Sequence, residues 1–160
     1  IIRQFNVIGE RDTHHRIVPY IISELIKGST KIKIGNSGSC RDFTYVEDVA
    51  EACYLTMNNQ KAYGETINIG TGLSWRGFEV AKIVSEKLGV QPPTFEVDPR
   101  QVRPLDVNVL CADNSKAKRI LGWEPKTDLF TALDKIIAWR KANGPYSWEG
   151  YYDKKNLVRK

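Results

Sequence analysis

The residues of this chain best suited to chemistry are arginines set in small-residue turns and stiff loops, and the chemistry they suit is anion binding. Arg41 follows the turn GNSGSC, residues 35–40, whose small side chains leave backbone N–H groups open. Its planar guanidinium can grip a phosphate through two N–H groups at once. The other use open to it is a surface salt bridge with Asp42 or Glu47. A second set lies in RQVRPLD, where Arg100, Arg103 and Asp106 share a loop stiffened by Pro99 and Pro104. A rigid loop loses less entropy when an anion immobilises its arginine. Asp106 can accept hydrogen bonds from a sugar diol, or close a salt bridge inside the loop. Arg16 stands at the start of a helix whose N–H groups also attract anions. Asn6 ends the strand-like run RQFN, and open α/β sheets bind ligands at the carboxyl ends of strands. Its amide both donates and accepts, although a plain strand-to-loop turn uses asparagine equally well. Two arginine-bearing loops and a helix start together suit a doubly charged diphosphate.

Other chemistries find less support. His14 and His15 are adjacent, so their side chains point apart, and no third ligand stands at metal spacing; neither is assigned a metal or a catalytic role. There is no GxGxxG or P-loop phosphate motif and no GxSxG nucleophile elbow. Tyr151 and Lys155 have Tyr-x-x-x-Lys spacing, but in a polar basic tail after Gly150, where nothing buries and tunes a catalytic base.

Composition sets the outer bounds. A hydrophobic share of 41% and a charged share of 27% are those of a soluble globular protein. No apolar run approaches the roughly 20 residues that a membrane-spanning helix needs, and no signal-peptide pattern is present. The three cysteines, Cys40, Cys53 and Cys111, are widely spaced and odd in number, which argues against a disulfide framework or a zinc site and for the cytoplasm. A net charge of +5 invites a nucleic-acid reading. The basic residues are scattered, however, and no nucleic-acid-binding motif occurs, so a small phosphorylated ligand is the better partner.

The elements that must hold these residues read as alternating strands and helices. Ile17, Ile21, Ile22 and Leu25 form one stripe of a helix over residues 16–27, and KIKIG alternates as a strand. A second helix follows Arg41, with Val46, Val49, Ala50, Cys53 and Met57 as its apolar face and Glu47 and Asp48 in its first turn. GETINIG and PPTFEV read as strands. Residues 75–88 read as a helix with Phe78, Ala81, Val84 and Leu88 facing inward and Gly89 as its stop. Asn114 or Ser115 caps a short helix ended by Gly122. Asp128 caps a last helix whose inner face is Leu129, Leu133, Ile136 and Ile137. The pattern implies an α/β fold with a parallel sheet. Such sheets are buried on both faces, and IIRQFNVI and GETINIG have too few strand neighbours here. A strand at the first residue, Ile1, is expected of a piece of a longer protein whose earlier part completes the sheet.

RQFNVIGER, GNSGSCRDFTYVEDVAEA, GETINIGTG and RPLDVNVLCADNSKAKRILGWEP, in this order, resemble the C-terminal half of extended short-chain dehydrogenase/reductases over about residues 1–143. The resemblance is narrower still to nucleotide-sugar 4-epimerases and 4,6-dehydratases. It implies the C-terminal part of a Rossmann-type parallel sheet, residues 1–15 and 42–74, plus a smaller mixed α/β substrate-binding lobe, residues 16–41 and 75–145. Residues 146–160 are a polar basic tail. It further implies that Asn6 contacts the diphosphate-sugar, that Phe5 lies near the nicotinamide, and that Arg16 and Ile17 lie along the substrate. Lys33 and Ile34 run by the base and ribose, Arg41 and Arg103 hold the phosphates, and Asp106 is near the ribose. NAD or NADP would be bound mainly by an N-terminal half, which would also carry the Tyr-x-x-x-Lys pair. The chain alone would therefore bind without turnover, and the whole protein, an isomerase or a lyase, would be a homodimer.

The sequence departs from the family pattern in two places. NVIGE replaces the usual NVYGP, and Lys33 and Ile34 occupy positions where an aromatic is common. DPRQVRP resembles dehydratases of GDP-sugars. The competing expectation is a stand-alone, non-catalytic module that binds nucleotide sugars.

Overall fold

The computed structural model describes residues 1–12, 16–36, 38–102 and 105–144. His14, His15, Arg103, Tyr151, Lys155 and the basic tail lie outside them.

Parallel pairing joins the opening strand β1 (Ile2–Gln4) to β6 (Ile67–Ile69), with Ile2 beside Ile67. Two further parallel pairs are β2 (Val7–Ile8) with β5 (Thr44–Tyr45), and β3 (Lys31–Ile34) with β8 (Thr94–Val97). Among the described residues neither β1 nor β6 has a second neighbour. A mixed sheet has β4 (Cys40–Asp42) at its centre, antiparallel to β7 (Ser74–Arg76) and parallel to β9 (Val109–Leu110).

The helices bury what their periodicity requires. On α1 (Ile17–Ile26) the core side is Ile21, Ile22 and Leu25. On α5 (Leu129–Asn143) it is Leu129, Leu133, Ile136 and Ile137. These pack with α3 (Gly77–Leu88) and with Ile32 and Ile34 of β3 into one core. A second core joins Val49 and Ala52 of α2 (Val46–Met57) to Ile67, Ile69 and the helix α4 (Ser115–Leu121), closed by Trp123. Burying an aliphatic side chain of this size contributes about 1.5–3 kcal/mol. No helix among the described residues is long and apolar enough to cross a membrane.

Three local expectations change. The inner face of α2 is Asp48, Val49 and Ala52, while Val46 and Met57 are 41% and 69% exposed and Ala50 is also exposed. The helix is turned because Asp48 points inward, accepting from the N–H groups of Lys126 (3.2 Å) and Thr127 (2.9 Å), while its carbonyl accepts from Trp123 Nε1 (2.9 Å). The helix expected from residue 75 begins at Gly77, because residues 74–76 pair with β4. Glu79 marks that start by accepting from the Arg76 N–H at 2.7 Å, and Phe78 is turned outward. Asn114 occupies the N-cap of α4, but its amide donates to the Gly70 carbonyl at 2.9 Å instead of capping.

Candidate functional site

The carboxyl ends of β1, β2 and β3, the start of α1 and one face of the mixed sheet surround a single cleft of about 990 Å³. Phe5, Asn6, Arg16, Ile17, Ile34, Arg41 and Asp106 all line it. They come from five separate stretches of chain, so only the fold brings them together. Lys33 does not join them. In β3 side chains alternate between faces, and Ile32 and Ile34 turn inward while Lys33 is exposed. Arg100 is also directed elsewhere, gripping Asp98 with Nε at 3.0 Å and Nη2 at 2.8 Å. That guanidinium, aided by the Arg100 N–H, holds the Asp98 carboxyl far below the usual carboxylate range. Arg103 lies outside the described residues.

Arg41 is held by the wall of the cleft. Nη1 donates to the carbonyls of Cys40 (2.8 Å) and Val107 (2.7 Å), and Nη2 contacts Asp106 Oδ1 at 2.5 Å. The salt-bridge partner is thus Asp106, 65 residues away, and neither Asp42 nor Glu47. The other oxygen of Asp106 accepts from Asn36 Nδ2 at 3.1 Å, and Asn36 Oδ1 accepts from the Gly38 N–H at 2.9 Å. Of five guanidinium N–H groups, those on Nε and the second on Nη2 have no protein partner among the described residues. Arg41 lines the cleft, and these two spare donors are its cationic fork.

Asn6, on the same cleft, is fixed from both ends. Its Nδ2 donates to the Asp42 carbonyl at 3.0 Å, and its own carbonyl accepts from the Thr44 N–H at 3.2 Å. The start of α1 adds to the positive character. Arg16 is its N-cap residue, no acidic side chain stands in the first turn, and Pro19 occupies a first-turn position that lacks an intrahelical N–H bond anyway. Arg16 itself is half-exposed, donating to the Val7 carbonyl at 3.4 Å and lying 3.8 Å from Asp12. At the far end the backbones close tightly: a Cβ on Gly35 would lie 2.1 Å from the Gln101 carbonyl oxygen. Tyr20 lines the same end, and burial, reinforced by the charge of Glu24, raises its phenol above the ordinary value.

Sequence reasoning missed Trp75 and Leu110. In the mixed sheet Arg41 lies opposite Trp75 on one side and Leu110 on the other, and all three reach the cleft. The Trp75 ring is set edge-on to Phe130, centroids 5.8 Å apart. Nothing local marks this rung, because the pairing joins segments more than 30 residues apart.

A family model described as GDP-mannose 4,6 dehydratase matches residues 1–136. The chain belongs to this nucleotide-sugar epimerase and 4,6-dehydratase family. Among its relatives, the UDP-glucuronate 4-epimerase of Thermodesulfobacterium geofontis is 30% identical over 150 residues, covering 89% of this chain and 43% of the relative. The dTDP-glucose 4,6-dehydratase of Escherichia coli is 29% identical over 143 residues, covering 86% and 39%. The solved structure of MoeE5 in complex with UDP-glucuronic acid and NAD superposes with a TM-score of 0.80 at 28% identity, covering 89% of this chain and 47% of that one. The chain thus spans less than half the length of these family members and corresponds to their C-terminal portion. The fold is that of Rossmann-type epimerases.

Proposed function

We propose that this chain is the substrate-binding portion of an NAD-dependent nucleotide-sugar epimerase or 4,6-dehydratase. The observation that supports this most is the Arg41 fork, which opens into the same cleft as Asn6, Asp106 and the start of α1. The diphosphate takes the two open N–H groups of Arg41 in charge-assisted bonds, with Arg103 as a second cation. The start of α1 and Arg16 lie along the substrate and add positive potential. Asp106, already accepting from Arg41 and Asn36, keeps the fork aimed and faces the ribose hydroxyls. Asn6, its Nδ2 committed to Asp42, offers its oxygen to a sugar hydroxyl.

The chain's own residues fit one edge of a nicotinamide site. Phe5 is half-buried at the carboxyl end of β1 and opens on the cleft, and the sequence holds no glycine-rich phosphate loop. NAD, when bound there, would supply a hydride acceptor for the sugar C4. The part of this chain is to hold the sugar still and exclude water around it, and no catalytic acid or base is assigned within it.

The test is a thermal-shift panel of UDP-, GDP- and dTDP-sugars against the protein expressed from its complete reading frame. At least one class should raise the melting temperature, and Arg41→Ala should abolish the rise. If no sugar nucleotide shifts the wild type, the proposal is wrong.

A further inference from the structure

Asp42 is fully buried, lies outside the cleft, and accepts four hydrogen bonds through its carboxylate. Its Oδ1 accepts from the N–H (2.9 Å) and hydroxyl (2.6 Å) of Thr71. Its Oδ2 accepts from the N–H groups of Gly72 (2.9 Å) and Ala112 (3.1 Å). All four donors are neutral, and they fill the roughly four lone-pair directions that a carboxylate offers. Burying a charge without such partners would be strongly unfavourable. The cradle is tight enough to demand a glycine: a Cβ on Gly70 would lie 2.8 Å from Asp42 Oδ2 and 2.3 Å from the Ala112 Cβ.

The segments tied together are those that carry the cleft. Thr71 and Gly72 form the turn that leads into β7 and Trp75, and Ala112 lies two residues past Leu110, where β9 ends. Asp42 itself follows Arg41 on the opposite face of β4, and its carbonyl holds the Asn6 amide. We infer that Asp42 is a positioning residue for the sugar-nucleotide site: its carboxylate pins β7 and β9 onto β4, setting Trp75, Arg41 and Leu110 in one row with Asn6 facing them. This rests on the function proposed above, and it assigns Asp42 no contact with substrate or cofactor.

The test is Asp42→Asn in the protein expressed from its complete reading frame. Asparagine keeps the shape but turns an NH2 group toward N–H donors. By calorimetry the dissociation constant for the sugar nucleotide that the wild type binds best should rise at least tenfold, while that for NAD stays within twofold. Thr71→Val, which removes one donor and leaves the carboxylate, should give a smaller rise of about threefold and covers the case in which Asp42→Asn does not fold. In an Arg41→Ala background the added loss from Thr71→Val should shrink below twofold, because coupled residues are not additive. A purely architectural Asp42 would lower the melting temperature and leave the sugar-nucleotide affinity unchanged in both variants. That result, or a full additive loss in the Arg41→Ala background, overturns the inference. A wild type that binds no sugar nucleotide overturns the proposed function as well, whereas a binding wild type with unaffected variants overturns the role of Asp42 alone.

Discussion

Replacing Arg41 by alanine removes a guanidinium that spends three N–H bonds on the protein and keeps two for the cleft. A hydrogen bond to a charged group contributes about 1.5–3 kcal/mol. Two such bonds at the low end amount to about 3 kcal/mol, or about 150-fold in dissociation constant at 1.4 kcal/mol per tenfold. Asp106 adds to the loss, since without Arg41 its carboxylate faces the incoming diphosphate unopposed. The Arg41→Ala, Asp106→Ala double variant should therefore bind pyrophosphate, which has no ribose, better than Arg41→Ala alone does. Arg41→Lys keeps the charge but loses the fork, and should weaken binding about tenfold, one of the two bonds at that same rate. The assay is titration calorimetry with UDP and with inorganic pyrophosphate at one fixed salt concentration, because exposed charges are screened. Circular dichroism confirms that each variant is folded. If folded Arg41→Ala binds both anions within threefold of the wild type, the fork is not the diphosphate site.

Three further outcomes follow from the same geometry. Trp75 borders the cleft beside Arg41, so sugar-nucleotide binding should change tryptophan emission, and Trp75→Phe should remove most of that change while keeping affinity within about threefold, since phenylalanine retains a stacking face. Asp48→Ala leaves the half-buried N–H groups of Lys126 and Thr127 without their acceptor and should cost about 2 kcal/mol, read as a lower urea midpoint at unchanged slope. Asp98 has a carboxyl held below its unfolded value, so it favours the folded state fully above about pH 4, and that contribution fades as the pH falls toward its folded value. Arg100→Ala should bring the Asp98 carboxyl back up toward about 3.9 in an NMR titration, and no movement would refute the assignment.

The parts of this molecule legible in its sequence are those set by local periodicity and by end signals. The stripes on α1 and α5, the alternation in β3 and the glycine stops at Gly89 and Gly122 need only neighbours a few residues away. Motif residues such as Asn6, Arg16 and Arg41 stand at strand and helix ends in the family pattern, and the fold brings them to one cleft. Long-range pairing escaped. The Arg41–Asp106 ion pair and the Trp75–Arg41–Leu110 row are set by strand registers across 30 to 70 residues. For the same reason the outward Val46 and Met57 of α2 were misplaced: the inward turn of Asp48 depends on backbone donors at 126 and 127 that no helical wheel contains.

The most direct measurement is a crystal structure of the protein with its best-bound sugar nucleotide. Phosphate oxygens should lie within hydrogen-bonding distance of Arg41 Nε and Nη2, with the sugar against Asn6 and the Arg41–Asp106 contact retained. A diphosphate bound away from Arg41, or a ligand lying outside this cleft, would rule out the Arg41 site.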